Sequence, residues 1–562
     1  MSTRALSLSP HLLYNPNPFF DSACHRALRC AETLDLVLQE IDSWTDSDRR
    51  RSARSLALTC RAFLDPAAAV LWKELPDLRP LYAVLSVPEN ALKTFDKRWN
   101  SIPDASAVQS EKVPDPRADA WSRFLRYAAL VRKLRRLEIQ GFELQLFQIL
   151  VSRNHGETFL PYLREFAFAG FGRSKGAGLT GLSILASPSV RTLEICSYEF
   201  NYHRPQRLDC YMAPTISNTF PNLQHLTLAI QGATGVSADF FTSFAVLKQL
   251  RHLNAEQPIL ITEPSHLQAL ISALPQLESL NAGIMWIDTP LPAPASGLER
   301  TSAPCLRRLV ICGLWEDVAL LPAWLQCPVL EELELSMRPT AGPVTYVNCD
   351  TLCACVREVA EPDFAPRLRR LVIDAPVSYQ IRRNRTPEVV VPERRSIADI
   401  LGPLSALEHL EDVRFTMVFV VKARLFTPCL SDDDMHALAV ALRHVRTISL
   451  QIEYPPDARP SPTPTLLSLV HFASLCPRLV SLSLPYVNTK APLPPSTRNK
   501  GSPPLCKTLR TLRLPDATPL SESETCRLAA FLCGLFPDLD VAAFTLSKDA
   551  TTEAVYRERM CA

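Results

Sequence analysis

Residues 304–311 read Pro304-Cys-Leu306-Arg-Arg-Leu309-Val-Ile311, and residues 328–335 read Pro328-Val-Leu330-Glu-Glu-Leu333-Glu-Leu335. Residues 366–373 repeat the pattern as Pro366-Arg-Leu368-Arg-Arg-Leu371-Val-Ile373. All three carry one phrase, L-x-x-L-x-L, with Val, Ile, Phe or Ala free to substitute. The alternation in its last four positions fits a short strand with one buried face. A proline two residues ahead of the phrase disfavours helix in the residue before it and removes a backbone donor, so it ends an incoming helix just before the strand.

The phrase runs through most of the chain. It starts at Leu134, Leu163, Val190, Leu223, Leu250, Leu277, Leu306, Leu330, Leu368, Leu410, Val445, Leu479, Leu509 and finally Val541, a mean step of roughly 31 residues. Pro161, Pro188, Pro221, Pro275 and Pro477 repeat the punctuation, and Pro537 precedes the last copy. Between the strands lie helical patterns at Ser265–Leu274, Ser431–Leu442 (which opens on three Asp residues, favourable at a helix N-terminus) and Ser521–Leu535. Strand, loop, helix and return predict an α/β fold, a right-handed solenoid whose strands line an inner face.

Composition agrees. The 562 residues include 84 Leu and 48 Pro but only 16 Gly, which suits many similar buried elements rather than glycine-cornered barrels or phosphate loops. A net charge of +2 gives no global basic excess for a polyanion. No apolar run approaches the ~18 residues of a membrane span, and Pro10, Asn15 and Pro16 interrupt any secretory h-region. The 17 Cys contain no C-x-x-C pair. The tightest group, Cys349, Cys353 and Cys355, lacks a nearby His, so reduced thiols in a cytoplasmic or nuclear protein are expected rather than a metal site.

On these phrases the chain resembles leucine-rich-repeat proteins over roughly residues 130–547. Position nine of the phrase, Asn or Cys in the standard family, is Phe142, Phe171, Tyr198, Gln231, Pro258 or Met285 in the first copies. The buried polar ladder of the family is therefore missing from that position, which predicts an irregular horseshoe. Pro-rich insertions at 286–304, 376–396, 454–465 and 487–505 point the same way.

Residues 24–75 differ. Leu34, Val37, Leu38 and Ile41 share a helical face, a polar turn occupies Ser43–Asp48, and Leu58-Thr-Cys60-Arg-Ala-Phe63 and Leu71-Trp72-Lys-Glu-Leu75 follow. This order resembles the F-box, in the style of fungal F-box proteins of the mushroom type, with Ala31 and Thr33 departing from it. The resemblance implies a substrate-receptor subunit of an SCF-type cullin–RING ubiquitin ligase. A Skp-type adaptor would then be bound through Leu34, Val37, Leu38, Ile41, Leu58, Cys60, Phe63, Leu71 and Trp72, and a protein substrate through the repeats. The alternative is a leucine-rich-repeat scaffold outside any ligase, with residues 24–75 as a helical cap. The expected organisation is a disordered tail at 1–23, an F-box-like module at 24–75, a linker at 76–120, the solenoid at 121–547 and a tail or cap at 548–562.

Phrase positions three, five and seven face the inner side of such a solenoid. They place Arg136, Arg308, Arg370, Arg414 and Arg513 there, with Glu138, Glu165, Glu194, Glu256, Glu332, Glu334, Asp374 and Asp412. Both signs interleave, which suits a mixed-charge protein surface. The substrate-binding candidates are Arg136, Glu138, Glu194, Arg308, Glu332, Glu334, Arg370 and Arg414. The glycine cluster Gly170–Gly181 matches no phosphate-loop pattern and is expected to be a plain loop. The arginines of Arg382–Arg395 are expected to be a solvated face; docking of an acidic partner or nucleic acid is the lesser reading. With no enzyme signature in the sequence, neither catalysis, a cofactor, a membrane nor nucleic acid is expected.

Overall fold

The computed structural model describes residues 31–59, 61–85, 117–137, 141–169, 182, 185, 187–197, 212–230, 240, 243–257, 260–261, 263–284, 300–337, 349–377, 396–419, 430–453, 462–492, 506–515 and 521–540. The chain divides into two compact units, residues 1–167 with 184–190, and residues 168–183 with 191–562.

The first unit opens with three helices, α1 (Ala31–Asp42), α2 (Asp46–Thr59) and α3 (Arg61–Lys73), which pack on one another. The helix α2 begins within the stretch expected to be a turn. Thr45 donates to Asp48 across 2.7 Å, and Asp46 and Asp48 face the positive end of the helix dipole. From α3 the chain passes directly into a strand, β1 (Glu74–Leu75), then α4 (Arg79–Val84), α5 (Ala118–Ala128), β2 (Lys133–Leu137), α6 (Gly141–Arg153) and β3 (Glu165–Ala169) at the unit's edge. The strands β1 and β2 are parallel, Glu74 opposite Lys133. An aromatic cluster of Tyr82, Phe124, Phe147 and Phe159 fills the space beneath, with ring centroids 5.7–6.4 Å apart. Each such ring removes a large apolar area from water.

The first repeat is framed three residues earlier than the leucine phrase suggests. Val131 N–H closes a turn onto Ala128 O, and Arg132 O accepts from both Arg164 and Glu165. Leu134 therefore stands where Phe166 stands in the next copy. Lys133 takes position three and meets Glu165 at 3.1 Å. The apolar residues Leu134 and Leu137 fit two frames, and turn hydrogen bonding decided between them.

In the second unit the strands are β4 (Thr192–Ser197), β5 (His225–Ile230), β6 (His252–Gln257), β7 (Leu260–Ile261), β8 (Ser279–Ile284), β9 (Thr301–Ser302), β10 (Arg308–Gly313), β11 (Leu325–Gln326), β12 (Glu332–Met337), β13 (Arg370–Val377), β14 (Asp412–Phe419), β15 (Thr447–Glu453), β16 (Ser481–Ser483) and β17 (Thr511–Arg513). From β4 to β17 they pair in parallel in sequence order, except that β7 adds to β8 off the main path and β9 pairs with β11. The segments between them include α7 (Met212–Thr219), α8 (Pro264–Ala273), α9 (Trp315–Val318), α10 (Leu321–Trp324), α11 (Cys349–Ala360), α12 (Ile397–Leu401), α13 (Asp432–Ala441) and α14 (Leu466–Leu475), and α15 (Glu522–Leu535) follows β17. Phrase positions one, four and six are the core: Leu306, Leu309 and Ile311 are buried, as are Leu330, Leu333 and Leu335.

The proline sits at the second position of a turn shared by the described repeats other than the one at Leu509. The N–H of the first phrase residue donates to the carbonyl three residues back, as in Leu223 to Phe220, Leu277 to Leu274 and Leu479 to Cys476. Copies without proline, such as Leu247–Leu250 and Leu442–Val445, close the same turn. Where a helix precedes the proline, its C-cap leaves the helical region: Leu274, Cys476 and Phe536 have ψ of 69°, 73° and 76°. The last turn is closed by Leu539 N–H onto Phe536 O, which sets the final copy at Leu539 rather than Val541.

A polar ladder is present in the turns. The hydroxyls of Ser187 and Ser189 donate to Pro161 O, and Ser189 also to Leu163 O. Three residues before Leu479 and Leu509, the thiols of Cys476 and Cys506 donate to carbonyls of the preceding repeat, Ala439 O at 3.4 Å and Leu479 O at 3.8 Å. Thr508 Oγ1 adds a 2.7 Å bond to Leu479 O. Burial pushes the Cys476 thiol up to about 12, so it stays a neutral donor. The side chains of Phe142, Phe171, Tyr198, Gln231, Pro258 and Met285 lie outside the described residues.

Helix starts are tied to their neighbours. Ser431 and Asp434 form a capping box on α13, and Asp434 also accepts from the hydroxyl of Ser396, the N-cap of α12. Asp432 reaches the other way, accepting from Thr465 N at 2.8 Å, Thr465 Oγ1 at 2.7 Å and Ser468 Oγ at 2.5 Å. The three aspartates of Ser431–Leu442 thus include two that staple one helix to the caps on either side. In α15, Ser521 and Glu524 form a second capping box.

Two local irregularities follow from side-chain size. Position six is Ala255 and Ala282 in consecutive copies, and Phe240 and Phe244, edge to face at 5.0 Å, occupy the space larger residues fill elsewhere. An apolar cavity of about 10 Å³ remains, lined by these residues with Leu253 and Leu270. At the end of β10, a Cβ on Gly313 would stand 2.2 Å from Ile284 O, so only glycine fits there.

Candidate functional site

Two surfaces collect the residues singled out in the sequence, one in each unit. On the helices α1 to α3, Leu34, Ile41 and Phe63 are buried and hold the three helices together. Leu71 and Trp72 are half-buried, and Trp72 stacks on Tyr127 of α5 with centroids 4.5 Å apart. Asp65 pairs with Arg126 nearby. Val37 is exposed, and Leu58 is 80% exposed. Cys60 and the side chain of Leu38 lie outside the described residues. Leu36 at 67%, Trp44 at 45% and Leu64 at 47% are further large apolar side chains in solvent. They were missed in the sequence because helical periodicity marks the buried stripe and assigns the remainder to solvent.

An ion cluster fixes these helices to the first strands. Arg49 donates to Glu74 Oε2 at 2.8 Å and to Asp46 at 2.7 Å, and Arg135 donates to Glu74 Oε1 at 2.7 Å and meets Asp46 at 2.9 Å. Burial alone would raise the Glu74 carboxyl, but the hydrogen bonds from Arg135 and Arg49 outweigh it and bring it down to about 2. The two arginine forks hold Glu74 from both sides of its carboxylate.

The second surface is the open face of the sheet in the second unit, where strand register sets the neighbours. The first row runs Thr192, His225, His252, Ser279, Arg308, Glu332, Arg370, Asp412, Thr447, Ser481, Thr511. The next runs Glu194, Thr227, Asn254, Asn281, Val310, Glu334, Val372, Arg414, Ser449, Ser483, Arg513. Six of the eight substrate-binding candidates, Glu194, Arg308, Glu332, Glu334, Arg370 and Arg414, come into these rows. Arg308 meets Glu332 at 3.5 Å, and Arg370 and Arg414 meet Asp412 at 3.5 and 3.2 Å. Burial and the neighbouring Glu334 push the Asp374 carboxyl up.

The frame of the first repeat corrects one assignment: Lys133, not Arg136, holds position three. The Arg136 side chain and Glu138 lie outside the described residues, as do Gly170–Gly181 and Arg382–Arg395. The sequence also passed over His225 and His252, whose rings stack at 4.2 Å and 6° on adjacent strands. Their shared position three in consecutive copies was the available signal.

Cys353 and Cys355 are buried on α11, and burial pushes the Cys355 thiol up to about 12. Among the described residues no group of three or more His, Cys, Asp or Glu is arranged to hold a metal ion, and no helix is long and apolar enough to cross a membrane.

No family model matches the chain, and no curated protein matches it. Among solved structures it is similar to an internalin (inlF) from Listeria monocytogenes, at 13% identity over 80% of this chain and 97% of that one, with a TM-score of 0.31. A structure of the Rad7 and Elc1 complex in yeast gives 12% identity over 88% and 92%, with a TM-score of 0.28. The APL1 leucine-rich repeat domain gives 11% over 70% of each chain, with a TM-score of 0.22. At such scores the fold description rests on this chain's own register, turns and core.

Proposed function

We propose that the chain is a protein-interaction scaffold that serves as the substrate receptor of an SCF-type cullin–RING ubiquitin ligase. The helices α1 to α3 bind a Skp-type adaptor, and the sheet face of the repeats holds a protein substrate. The observation that carries this reading is the set of large apolar side chains left in water on three short consecutive helices and the turn between the first two: Leu36, Val37, Trp44, Leu58 and Leu64. Exposed leucine and tryptophan of this kind supply the anchors of protein interfaces. The chain contributes no chemistry of its own in this role; it raises the effective concentration of substrate beside the charged ubiquitin carrier.

Capture of a purified Skp-type adaptor by the full chain tests the proposal. Binding is expected, with a loss of tenfold or more in Leu36→Asp/Leu58→Asp at unchanged melting temperature. A folded wild-type chain that captures no adaptor overturns it. A scaffold outside any ligase is the second reading. It is favoured by the inward use of Leu34, Ile41 and Phe63 and by the Trp72–Tyr127 stack, which suit a cap on the first repeat.

A further inference from the structure

The open face over β10, β12, β13 and β14 carries charge that its own side chains do not balance. Its three arginines are all engaged toward one edge: Arg308 with Glu332, and Arg370 and Arg414 with Asp412. Among the described residues, Glu334 and Asp374 are left without an ion pair. Register places them diagonally, since Glu334 lies opposite Val372, and Asp374 opposite Ser336. With strands ~4.8 Å apart and a rise of ~3.3 Å per residue, their Cα atoms are about 8 Å apart.

The surroundings differ on the two sides of this pair. Glu334 stands between Val310 and Val372, both half-buried on the same face, and Asp374 stands between Ser336 and Thr416. Two carboxylates therefore sit beside apolar shoulders on one side and hydroxyl acceptors on the other. A long basic side chain matches that arrangement. Its methylene stem covers the valines, and its head donates to both carboxylates and to a hydroxyl oxygen. A guanidinium, with five donors in a plane, uses more of these acceptors than an ammonium does.

We infer that the sheet face over β10, β12, β13 and β14 docks a basic segment of a partner protein, one arginine head seating between Glu334 and Asp374 with its stem on Val310 and Val372. The inference rests on the repeats being a protein-binding surface and names the chemistry of what they bind. The elevated Asp374 carboxyl adds a consequence: it takes up a proton early as pH falls, and docking weakens with it.

The test uses the full chain and a fluorescein-labelled dodecapeptide with two arginines in a Gly/Ser background, read by anisotropy. Lysine-for-arginine and glutamate-for-arginine versions serve as comparison probes. The arginine peptide is expected to bind best, the lysine peptide several-fold more weakly, and the glutamate peptide not at all. Glu334→Gln/Asp374→Asn is expected to weaken arginine-peptide binding tenfold or more without lowering the melting temperature. Asp399→Asn, which removes one exposed acidic group from α12, should leave it unchanged. Equal binding of arginine and glutamate peptides, or full binding by the double variant, overturns the inference. Calcium chloride binding at the pair by calorimetry, with no peptide binding, overturns it equally. Adaptor capture is read separately: its loss with peptide binding intact removes the ligase assignment alone, and the converse removes this inference alone.

Discussion

The two surfaces treat leucine in opposite ways. In the repeats of the second unit, Leu309, Leu333, Leu371 and Leu482 are all buried, and what faces water between them is Arg, Glu, Asp, Ser and Thr. On the helices of the first unit, Leu34 is inside, yet Leu36 and Leu58 stand mostly in water. A side chain that costs ~1.5–3 kcal/mol to leave exposed is retained there. The difference leaves two kinds of surface, uncovered apolar side chains on the helices and ordered charge on the sheet.

The largest expected effect tests the leucine contrast. Leu333→Ala should destabilise the second unit by about 2–5 kcal/mol in urea unfolding, and Leu58→Ala should change stability by no more than about 0.5 kcal/mol. Equal losses would break the comparison, because Leu58 would then be a core residue.

A smaller effect concerns the ion cluster at Glu74. Its folded carboxyl lies at about 2, below its ordinary value of 4.5. Its contribution is therefore present above that ordinary value and is lost as pH falls toward about 2. Glu74→Gln should cost about 2–3 kcal/mol at pH 7 and progressively less as the medium is acidified, measured by denaturant midpoints across pH. A constant difference at every pH would show that packing, not charge, sets the role of Glu74.

The smallest effect is opposite in sign. The Asp374 carboxyl is raised by burial and by Glu334, so the folded state holds its proton more tightly than the unfolded chain does. Its ionisation opposes folding at neutral pH, and the opposition fades as pH falls through the raised folded value. Asp374→Asn should stabilise the protein by up to about 1 kcal/mol at pH 7, with the gain shrinking in acid. A loss of stability at pH 7 would mean that a cation already serves this carboxylate.

Much of this was legible in the sequence because each repeat states its own structure. Leu306, Leu309 and Ile311 mark a strand with one buried face, and Pro304 marks the turn before it. Open-face residues such as Arg308 and Glu332 followed directly from strand alternation. The first copy resisted because Leu134 and Leu137 satisfy two frames, and only the turn bond from Val131 separates them. The turn ladder of Ser187, Cys476 and Cys506 was invisible because single hydroxyls and thiols in the turns carry no periodic signal. On the helices, periodicity found Leu34 and Ile41 but had no means of showing that Leu36, Leu58 and Leu64 stay uncovered.

The sequence alone determined the repeated unit, its phase over most of the chain and the residue types on each face, since these depend on spacing within ten residues. Only the tertiary structure decided which charges meet. Arg308 finds Glu332 across 24 residues of chain, and Arg370 finds Asp412 across 42. Such pairs are made by strand register, and register depends on how loops of unequal length bring successive turns together.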